Sequence, residues 1–355
     1  MQCPRASHSI ARSRPAGRAR RTAIPGLTLL PRHPDSMWLA VVSLIFGFVT
    51  LVWSADRFLN GAAATANNFG MSKLLIGLTI VSLGTSAPEM LVAASAAGNG
   101  KPLLAIGNAI GSNITNIGLV LGFTAALVPL PFARSVLKAE LPWLMGTTAA
   151  AFLVLFDLHL GVYEGIFLLL ILGALVYRLW RENRSGDVDD FPELEELEEI
   201  PELPRARALF WLLSGLVVLL LSAEVLVWAA TTIATALGVS ELIIGLTIIA
   251  IGTSLPELAA TVGSALKGHT DIAIGNVVGS NILNILAVMS IPGLIHPVDF
   301  GGAVLWRDFG IMLAMTLLLL FFAYGINARP VITRFEGVVL LAAWIGYNVL
   351  LYAQA

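Results

Sequence analysis

The sequence predicts an all-α polytopic membrane protein with ten transmembrane helices, arranged as two inverted five-helix repeats with broken helices at the midplane. Two compositional observations support this class: of the 355 residues, 57% are hydrophobic and only 12% are charged, whereas soluble domains carry about 25% charged residues. The third observation is an internal repeat of two motifs. The composition argues against a soluble enzyme, and the net charge of −2 gives no support for nucleic-acid binding.

The charged residues divide the chain into segments. Eight of them lie in residues 1–36 and fourteen in 181–207, which leaves 22 for the other 292 residues. The only cysteine, Cys3, argues against disulfide frameworks and cysteine metal sites. We expect a disordered arm upstream of a true start at Met37, with a transit-like peptide as the alternative. The predicted organisation is an arm at 1–36, repeat one at 37–180, an acidic linker at 181–207 and repeat two at 208–355.

Ten apolar segments are long enough to cross a bilayer. A helix rises ~1.5 Å per residue and the hydrocarbon core is ~30 Å thick, so each span needs about 20 apolar residues. Five segments precede the acidic linker and five follow it. The predicted spans are 38–55, 72–97, 103–128, 139–157, 162–180, 208–230, 240–266, 272–294, 304–323 and 334–352.

Basic residues in the loops predict the orientation. With Met37 outside, twelve Lys and Arg lie at cytoplasmic span ends, against Lys101 and Arg307 on the other side. Because basic residues are enriched in cytoplasmic loops, we expect both termini outside and the linker in the cytoplasm.

The internal repeat recurs at an offset of 168 residues. Ile76–Glu89 and Ile244–Glu257 read IGLTIVSLGTSAPE and IGLTIIAIGTSLPE, with 10 of 14 positions identical. Ile106–Ile117 and Ile274–Ile285 read IGNAIGSNITNI and IGNVVGSNILNI, with 9 of 12 identical. Since each half has an odd number of spans, the halves must cross the membrane in opposite directions. This is the plan of secondary transporters, whose substrates bind near the midplane where the repeats meet.

The first motif concentrates oxygen ligands around a helix break. Pro88 lacks an N–H and disturbs the carbonyl four residues back, which frees backbone oxygens beside Thr85, Ser86 and Glu89. The second copy supplies the same groups from the opposite direction. Two carboxylates, several hydroxyls and free carbonyls form an all-oxygen cage that suits Ca²⁺, and neutral oxygens nearby suit Na⁺. Two mid-membrane acids without a basic partner imply a bound cation or protonation.

The second motif adds neutral oxygens. Ser112 and Asn116 share a helix face because they are four residues apart, as do Ser280 and Asn284. Their hydroxyl and amide oxygens can bind Na⁺ or orient the carboxylates. Asn108, Asn113, Asn276 and Asn281 either join them or satisfy broken backbone. The matched acids Asp56, Glu224, Glu140 and Asp308 lie near span ends, where we expect interfacial positions.

These motifs resemble the two alpha-repeats of the calcium/cation antiporter superfamily, specifically the prokaryotic sodium/calcium exchangers. The resemblance covers residues 37–355 and implies that Ca²⁺ is held by Glu89 and Glu257 with main-chain oxygens of Thr85 and Thr253. Asn116 and Asn284 would complete the centre, and the first and sixth spans would slide. The Na⁺ sites would be lined by Ser82, Thr85, Ser86, Ser112, Ala250, Thr253, Ser254 and Ser280, with Ser82 and Ala250 contributing carbonyls.

Asn284 bears on the choice of coupling ion. Some family members have Asp at this position, and potassium-coupled exchangers resemble that acidic version. Because Asn leaves the centre with two carboxylates, we expect transport to be independent of K⁺.

The predicted function is secondary antiport of Na⁺ against Ca²⁺ by alternating access at one shared site, in a bacterial or archaeal inner membrane. The protein is not expected to be an enzyme or to need a prosthetic group, and no obligate protein partner is evident. A proton/calcium exchanger of the same fold is the nearest alternative, and a Na⁺-coupled organic solute transporter a more remote one. An intramembrane enzyme using Ser86 or Ser254 lacks a nearby base, and a channel would not need two facing carboxylates.

Overall fold

The protein is represented by a computed structural model. It describes residues 37–69, 86–134, 136–184, 203–266, 268–324 and 330–354. The predicted arm, the middle of the predicted linker and the first part of the predicted second span lie outside the described residues.

The described part of the first half is helical, with two π-helical segments that continue directly into α-helices. The α-helices are α1 (Met37–Asn68), α2 (Ala87–Gly98), α3 (Pro102–Thr115), α4 (Gly122–Leu127), α5 (Leu141–Val154) and α6 (Val162–Arg184). The π-helical segments are π1 (Asn116–Leu121), between α3 and α4, and π2 (Val136–Glu140), before α5.

The second half has the same kinds of element. Its α-helices are α7 (Arg205–Leu237), α8 (Glu241–Ile244), α9 (Ala250–Thr253), α10 (Leu255–Leu266), α11 (Thr270–Leu283), α12 (Ser290–Ile295), α13 (Gly310–Tyr324) and α14 (Arg334–Ala353). The π-helical segments are π3 (Gly245–Ile249), between α8 and α9, π4 (Asn284–Val288), after α11, and π5 (Val304–Phe309), before α13.

The two halves match element by element. The starts of α1 and α7, α2 and α10, α3 and α11, and α4 and α12 are each separated by 168 residues, the offset of the sequence repeat. The same offset relates π1 to π4 and π2 to π5, so the halves share their helix irregularities as well as their helices. Helices α6 and α14 begin 172 residues apart. Single π-helical turns are rare and occur often at functional sites.

Two short antiparallel sheets, which the sequence analysis did not predict, join the halves. Strand β1 (Leu130–Pro131) pairs with β4 (Val331–Ile332), and β2 (His159–Leu160) pairs with β3 (Val298–Asp299). Since β1 and β3 are repeat mates, each sheet combines a strand that follows α4 or its mate α12 with a strand that precedes α14 or α6 in the other half.

Helix α1 is longer than the predicted span 38–55 because the charged residues after it do not end the helix. Asp56 is exposed, and the guanidinium of Arg57 lies 4.9 Å from the ring centroid of Trp211 on α7. A basic side chain stacked on an aromatic face remains compatible with a helix at a membrane surface. The helix therefore continues through the small residues that follow, to Asn68.

Local sequence explains several helix ends. Gly238 ends α7 with a φ of 68°, a left-handed conformation that glycine adopts at little cost. The hydroxyl of Ser240 accepts a 3.3 Å hydrogen bond from the backbone of Ile243 at the start of α8. Thr333 and Glu336 form a reciprocal capping box before α14, which satisfies two backbone donors that the helix leaves free.

Glycines bring the central helices into backbone contact. A Cβ added to Gly107 on α3 would lie 2.5 Å from the carbonyl oxygen of Leu242, and one added to Gly245 would lie 2.5 Å from that of Leu104. Nothing larger than glycine fits at either position, so α3 packs directly against α8 and π3. This packing buries nearly every residue of α3.

The helices identify a membrane protein. Within the described ranges, six helices are long and apolar enough to cross a bilayer, and a seventh span is formed if Glu241–Thr253 and Leu255–Leu266, bent by 42° at their junction, are counted as one. The six are Met37–Thr65, Pro102–Leu127, Arg205–Leu237, Ile272–Ile295, Val304–Tyr324 and Arg334–Ala353.

Candidate cation-binding site

Ten of the twelve predicted site residues are described, and all ten are buried. Ser82 and Thr85 lie outside the described residues. The buried ten lie on α2, α3, π1, α9, α10, α11 and π4, or at the junctions between these elements. With exposures of 0 to 3%, they are Ser86, Glu89, Ser112, Asn116, Ala250, Thr253, Ser254, Glu257, Ser280 and Asn284.

The two acidic motifs produce the same backbone geometry where the structure describes both. Ser86, just before α2, has φ and ψ of −88° and 4°. Its repeat mate Ser254, at the 42° bend between α9 and α10, has −84° and 4°. A proline follows two residues after each serine, where its missing N–H is tolerated in the first turn of the new helix. Each glutamate lies in the first turn of its helix.

Hydrogen bonds join the motif of one half to that of the other. The hydroxyl of Thr253 donates to the side-chain oxygen of Asn108 at 3.2 Å and lies 3.4 Å from the hydroxyl of Ser112. Asn108 also donates, at 3.5 Å, to the backbone carbonyl of Glu89. The broken helix of the second half, α9 with α10, is therefore held against α3 of the first half. The motifs of the two halves form a single polar cluster.

Glu89 and Glu257 are fully buried and interact electrostatically with each other. Both carboxylate oxygens of Glu89 and Oε2 of Glu257 lack a hydrogen-bond partner. None of the ion pairs among the described residues includes either glutamate. Burying an ionised carboxylate without a partner costs several kcal/mol, so this pair requires cations or protons.

Further polar atoms of the two motif pairs are buried without a hydrogen-bond partner. Most are oxygens, the atoms that hard cations such as Ca²⁺ and Na⁺ prefer. Ala250 differs, because its carbonyl already accepts a 3.1 Å hydrogen bond from the backbone of Ser254 and lies 3.4 Å from the hydroxyl of Thr253. The unpartnered atoms are Oγ of Ser86, Ser254 and Ser280, Oδ1 of Asn113 and Asn116, and both amide atoms of Asn284.

The cluster is poor in acidic ligands. No group of three or more His, Cys, Asp and Glu side chains that could hold a metal occurs in the described part of the chain. The centre has two carboxylates, and its remaining donors are neutral. The two negative charges balance one divalent cation, and the neutral oxygens are weak ligands for monovalent cations.

Comparison with known proteins gives the family. The profile of the family described as "Sodium/calcium exchanger protein" matches residues 39–181 and 207–353. The chain is a member of the sodium/calcium exchanger family. This membership confirms the resemblance inferred from the two motif pairs, and with it the class of membrane-embedded cation/calcium antiporters.

Individual relatives agree with this membership over nearly their whole length. The chain is 46% identical to a putative antiporter, CaxA, of Alkalimonas amylolytica over 90% of this chain and 100% of the relative. It is 32% identical to the sodium/calcium exchanger MaX1 of Methanosarcina acetivorans over 87% and 97%. The solved structure of the sodium-calcium exchanger NCX_Mj soaked with Na⁺ and Sr²⁺ has a TM-score of 0.59 and 32% identity, covering 88% of this chain and 98% of that one.

One of this exchanger's matched acids, Asp308, is buried within the protein. Its side chain is 0% exposed, and its position at the membrane interface stays a prediction. Asp308 accepts hydrogen bonds from Arg307 at 2.7 and 3.1 Å and from the hydroxyl of Tyr347 at 3.0 Å. These hydrogen bonds stabilise the ionised carboxylate as water would otherwise do. The side chain of Asp308 on π5 can therefore be buried.

Sequence reasoning did not separate Asn108 and Asn281 from the other asparagines, although the exchanger's structure gives both a defined role in the cluster. Asn108 accepts from Thr253, and Asn281 accepts a 3.1 Å hydrogen bond from Asn116. Both asparagines were visible in the motif, but these partners come from the opposite half.

The exchanger's two halves differ in how they pack on α1 and α7. Helix α7 packs along α2, and Asn99 at the end of α2 donates a 3.0 Å hydrogen bond to Glu224 on α7. Helices α1 and α10 are the repeat mates of α7 and α2. In the described ranges these two helices do not pack on each other to a comparable extent. Accordingly Ala260 on α10 is exposed, whereas its mate Val92 on α2 is completely buried.

Proposed function

We propose that the protein is a secondary active antiporter that exchanges Na⁺ for Ca²⁺ at one site around Glu89 and Glu257. The observation that carries this proposal is the pair of buried carboxylates, one from each half, without basic partners and among unpartnered oxygens. Two carboxylates cancel the charge of one Ca²⁺, and several Na⁺ can replace it on the carboxylates and neutral oxygens. A loaded site removes the cost of burying bare charge.

The choice of ions draws further support from the relatives. MaX1 is described as a sodium/calcium exchanger, and NCX_Mj was studied with Na⁺ and Sr²⁺ or Ca²⁺. We assign the Ca²⁺ ligands to Glu89, Glu257 and the backbone oxygens of Thr85 and Thr253, with Asn116 and Asn284 completing the centre. The Na⁺ sites are assigned to Ser82, Thr85, Ser86, Ser112, Ala250, Thr253, Ser254 and Ser280.

The proposed topology has ten spans in two inverted repeats. The matched helix starts and matched π-helical segments support the repeat. Each sheet joins strands from both halves. An approximate two-fold axis between the halves would relate one sheet to the other. The spans beyond the six most apolar helices would be the segment ending in α2, the bent pair α8–α10, π2 with α5, and α6.

The proposed orientation has both termini outside and the acidic linker in the cytoplasm of a bacterial or archaeal cell. The excess of basic residues on the linker side supports it. The ion pair between Lys101 and Glu241 is compatible with this arrangement, because both residues fall on the outer side.

Alternating access would involve α1 and α7 moving against the rest. Packing of α7 along α2, with the Asn99–Glu224 hydrogen bond, would close the outer side. The exposed face of α10 at Ala260 would leave the site accessible from the cytoplasm. Binding of either ion load would permit the movement, and an empty site with two bare carboxylates would resist it.

The test is ⁴⁵Ca²⁺ uptake into proteoliposomes loaded with Na⁺, compared with proteoliposomes carrying only a pH gradient. We expect uptake that follows the Na⁺ gradient and does not change when K⁺ is added, because Asn284 supplies no third carboxylate. Uptake driven by the pH gradient alone would favour a proton/calcium exchanger. Uptake that requires K⁺ would contradict the inference from Asn284.

A further inference from the structure

A chain of three asparagines from the second motif pair crosses between the halves. The side-chain nitrogen of Asn116 donates a 3.1 Å hydrogen bond to Oδ1 of Asn281. The nitrogen of Asn281 in turn donates to the backbone carbonyl of Asn113 at 3.5 Å. All three side chains are at most 1% exposed, so water does not compete for these bonds.

The bond to Asn281 determines which end of the Asn116 amide is available to a cation. An amide has an oxygen that binds cations and a nitrogen that repels them. Because the nitrogen of Asn116 is held by Asn281, its oxygen is the free end, and that oxygen is buried without a partner. Without the acceptor on Asn281 the amide could turn and present the nitrogen instead.

The repeat predicts a second, equivalent bond that is open in this structure. Asn284 is the mate of Asn116, and Asn113 is the mate of Asn281. The equivalent bond would run from Nδ2 of Asn284 to Oδ1 of Asn113, and both atoms are buried without a partner. The nitrogen of Asn113 donates to the carbonyl of Ala109 within its own helix at 3.1 Å, which leaves its Oδ1 available as an acceptor. One bond of the symmetric pair is therefore made and the other is not.

We propose that Asn281 and Asn113 are positioning residues that orient the ligand amides of Asn116 and Asn284, respectively. The Asn116–Asn281 bond is preformed. The Asn284–Asn113 bond closes when a cation draws the oxygen of Asn284 into the site, which satisfies both buried atoms together. This inference rests on the proposed cation site. It assigns to the second asparagine of each motif a role that acts through an asparagine of the other half.

The test is a double-mutant cycle on equilibrium ⁴⁵Ca²⁺ binding to the purified protein, which does not depend on the coupling ion. Asn281→Ala is expected to weaken Ca²⁺ binding about tenfold, as removal of a residue that orients a metal ligand commonly does. In an Asn116→Ala background the same substitution is expected to have little further effect, because the amide that it orients is gone. Asn281→Asp keeps the acceptor and should restore most of the affinity lost in Asn281→Ala.

The matched control is Asn276→Ala. Asn276 lies on the same helix and donates its 3.1 Å bond to Thr261, so its effect should be the same with and without Asn116. Unchanged affinity in Asn281→Ala, or equal losses in both backgrounds, would overturn the proposal. If wild-type protein binds ⁴⁵Ca²⁺ but shows no Na⁺-driven uptake, the proposed antiport fails while the cycle still decides the role of Asn281.

Discussion

The hydroxyl of Thr253 lies 3.4 Å from the hydroxyl of Ser112, although the two residues are 141 positions apart. The contact joins the break between α9 and α10 in the second half to helix α3 of the first half. Both side chains are buried, and both belong to the proposed cation site. Under the proposed function, cation binding is therefore linked to the interface on which the two halves meet.

Replacing Thr253 with valine is expected to impair Ca²⁺ uptake, because it removes the bonds to Asn108 and Ser112 and a hydroxyl ligand. We expect at least a tenfold rise in the half-saturating Ca²⁺ concentration, on the order of the effect of losing a metal ligand's support. The control is Thr247→Val, since that hydroxyl bonds only the carbonyl of Ile243 in its own helix. Equal effects of the two substitutions would argue against a role for Thr253 in the site.

Cysteine labelling tests the proposed cytoplasmic access. Ala260→Cys, in a Cys3→Ser background, should react with a membrane-impermeant maleimide in inside-out vesicles, because the proposed access path from the cytoplasm runs along this exposed face of α10. Its mate Val92→Cys should not react, since Val92 is 0% exposed. Labelling of Val92→Cys but not Ala260→Cys, or labelling of Ala260→Cys only in right-side-out vesicles, would mean that the site opens to the outer side.

Gly107 should not tolerate even a methyl group. An added Cβ would lie 2.5 Å from the carbonyl oxygen of Leu242, so Gly107→Ala must push α3 away from α8 at a cost of about 1–3 kcal/mol. A lower melting temperature in detergent would report this cost. Gly146→Ala is the matched control because no atom lies within 4 Å of its added Cβ. Equal melting temperatures for the two variants would contradict the close packing of α3.

The loop contact between β2 and β3 should depend on pH. The hydrogen bond to Asp299, 2.6 Å long, raises the pKa of His159. The protonated imidazole therefore stabilises the folded state at pH values below its normal pKa of about 6.5. That contribution is lost as the pH rises through the higher pKa of the folded state.

The measurement is the difference in melting temperature between wild type and Asp299→Asn, taken at pH 6 and at pH 9. We expect a small difference at pH 6, because the pair is solvent-exposed, and a smaller one at pH 9. A difference that grows with pH would contradict the assignment.

Much of the candidate site could be predicted from sequence because both of its motifs occur twice in the chain. Matched Gly, Pro, Glu and Asn at one offset identify polar positions that hydrophobic similarity alone cannot explain, and the ten described members prove to be buried. The matching helix starts of α2 and α10 follow from the same repeated motifs.

Features that depend on contacts between distant segments could not be read from the sequence. Asp308 is buried because Tyr347, 39 residues away, donates to it, and no spacing rule connects these residues. The bond between Asn116 and Asn281 likewise needs the two halves to be packed together. Hydropathy also gave no sign of the two short sheets, since strands of two residues each leave no periodic pattern.

The central claim is that Glu89 and Glu257 form one site shared by Ca²⁺ and Na⁺. The most direct measurement is equilibrium ⁴⁵Ca²⁺ binding to purified protein with increasing Na⁺, in wild type, Glu89→Gln, Glu257→Gln and the exposed-acid control Asp299→Asn. We expect Na⁺ to displace Ca²⁺ fully and cooperatively in wild type and the control, and each glutamine variant to lose Ca²⁺ binding. Retained Ca²⁺ binding in either glutamine variant, or Ca²⁺ binding that Na⁺ does not displace, would contradict the shared site.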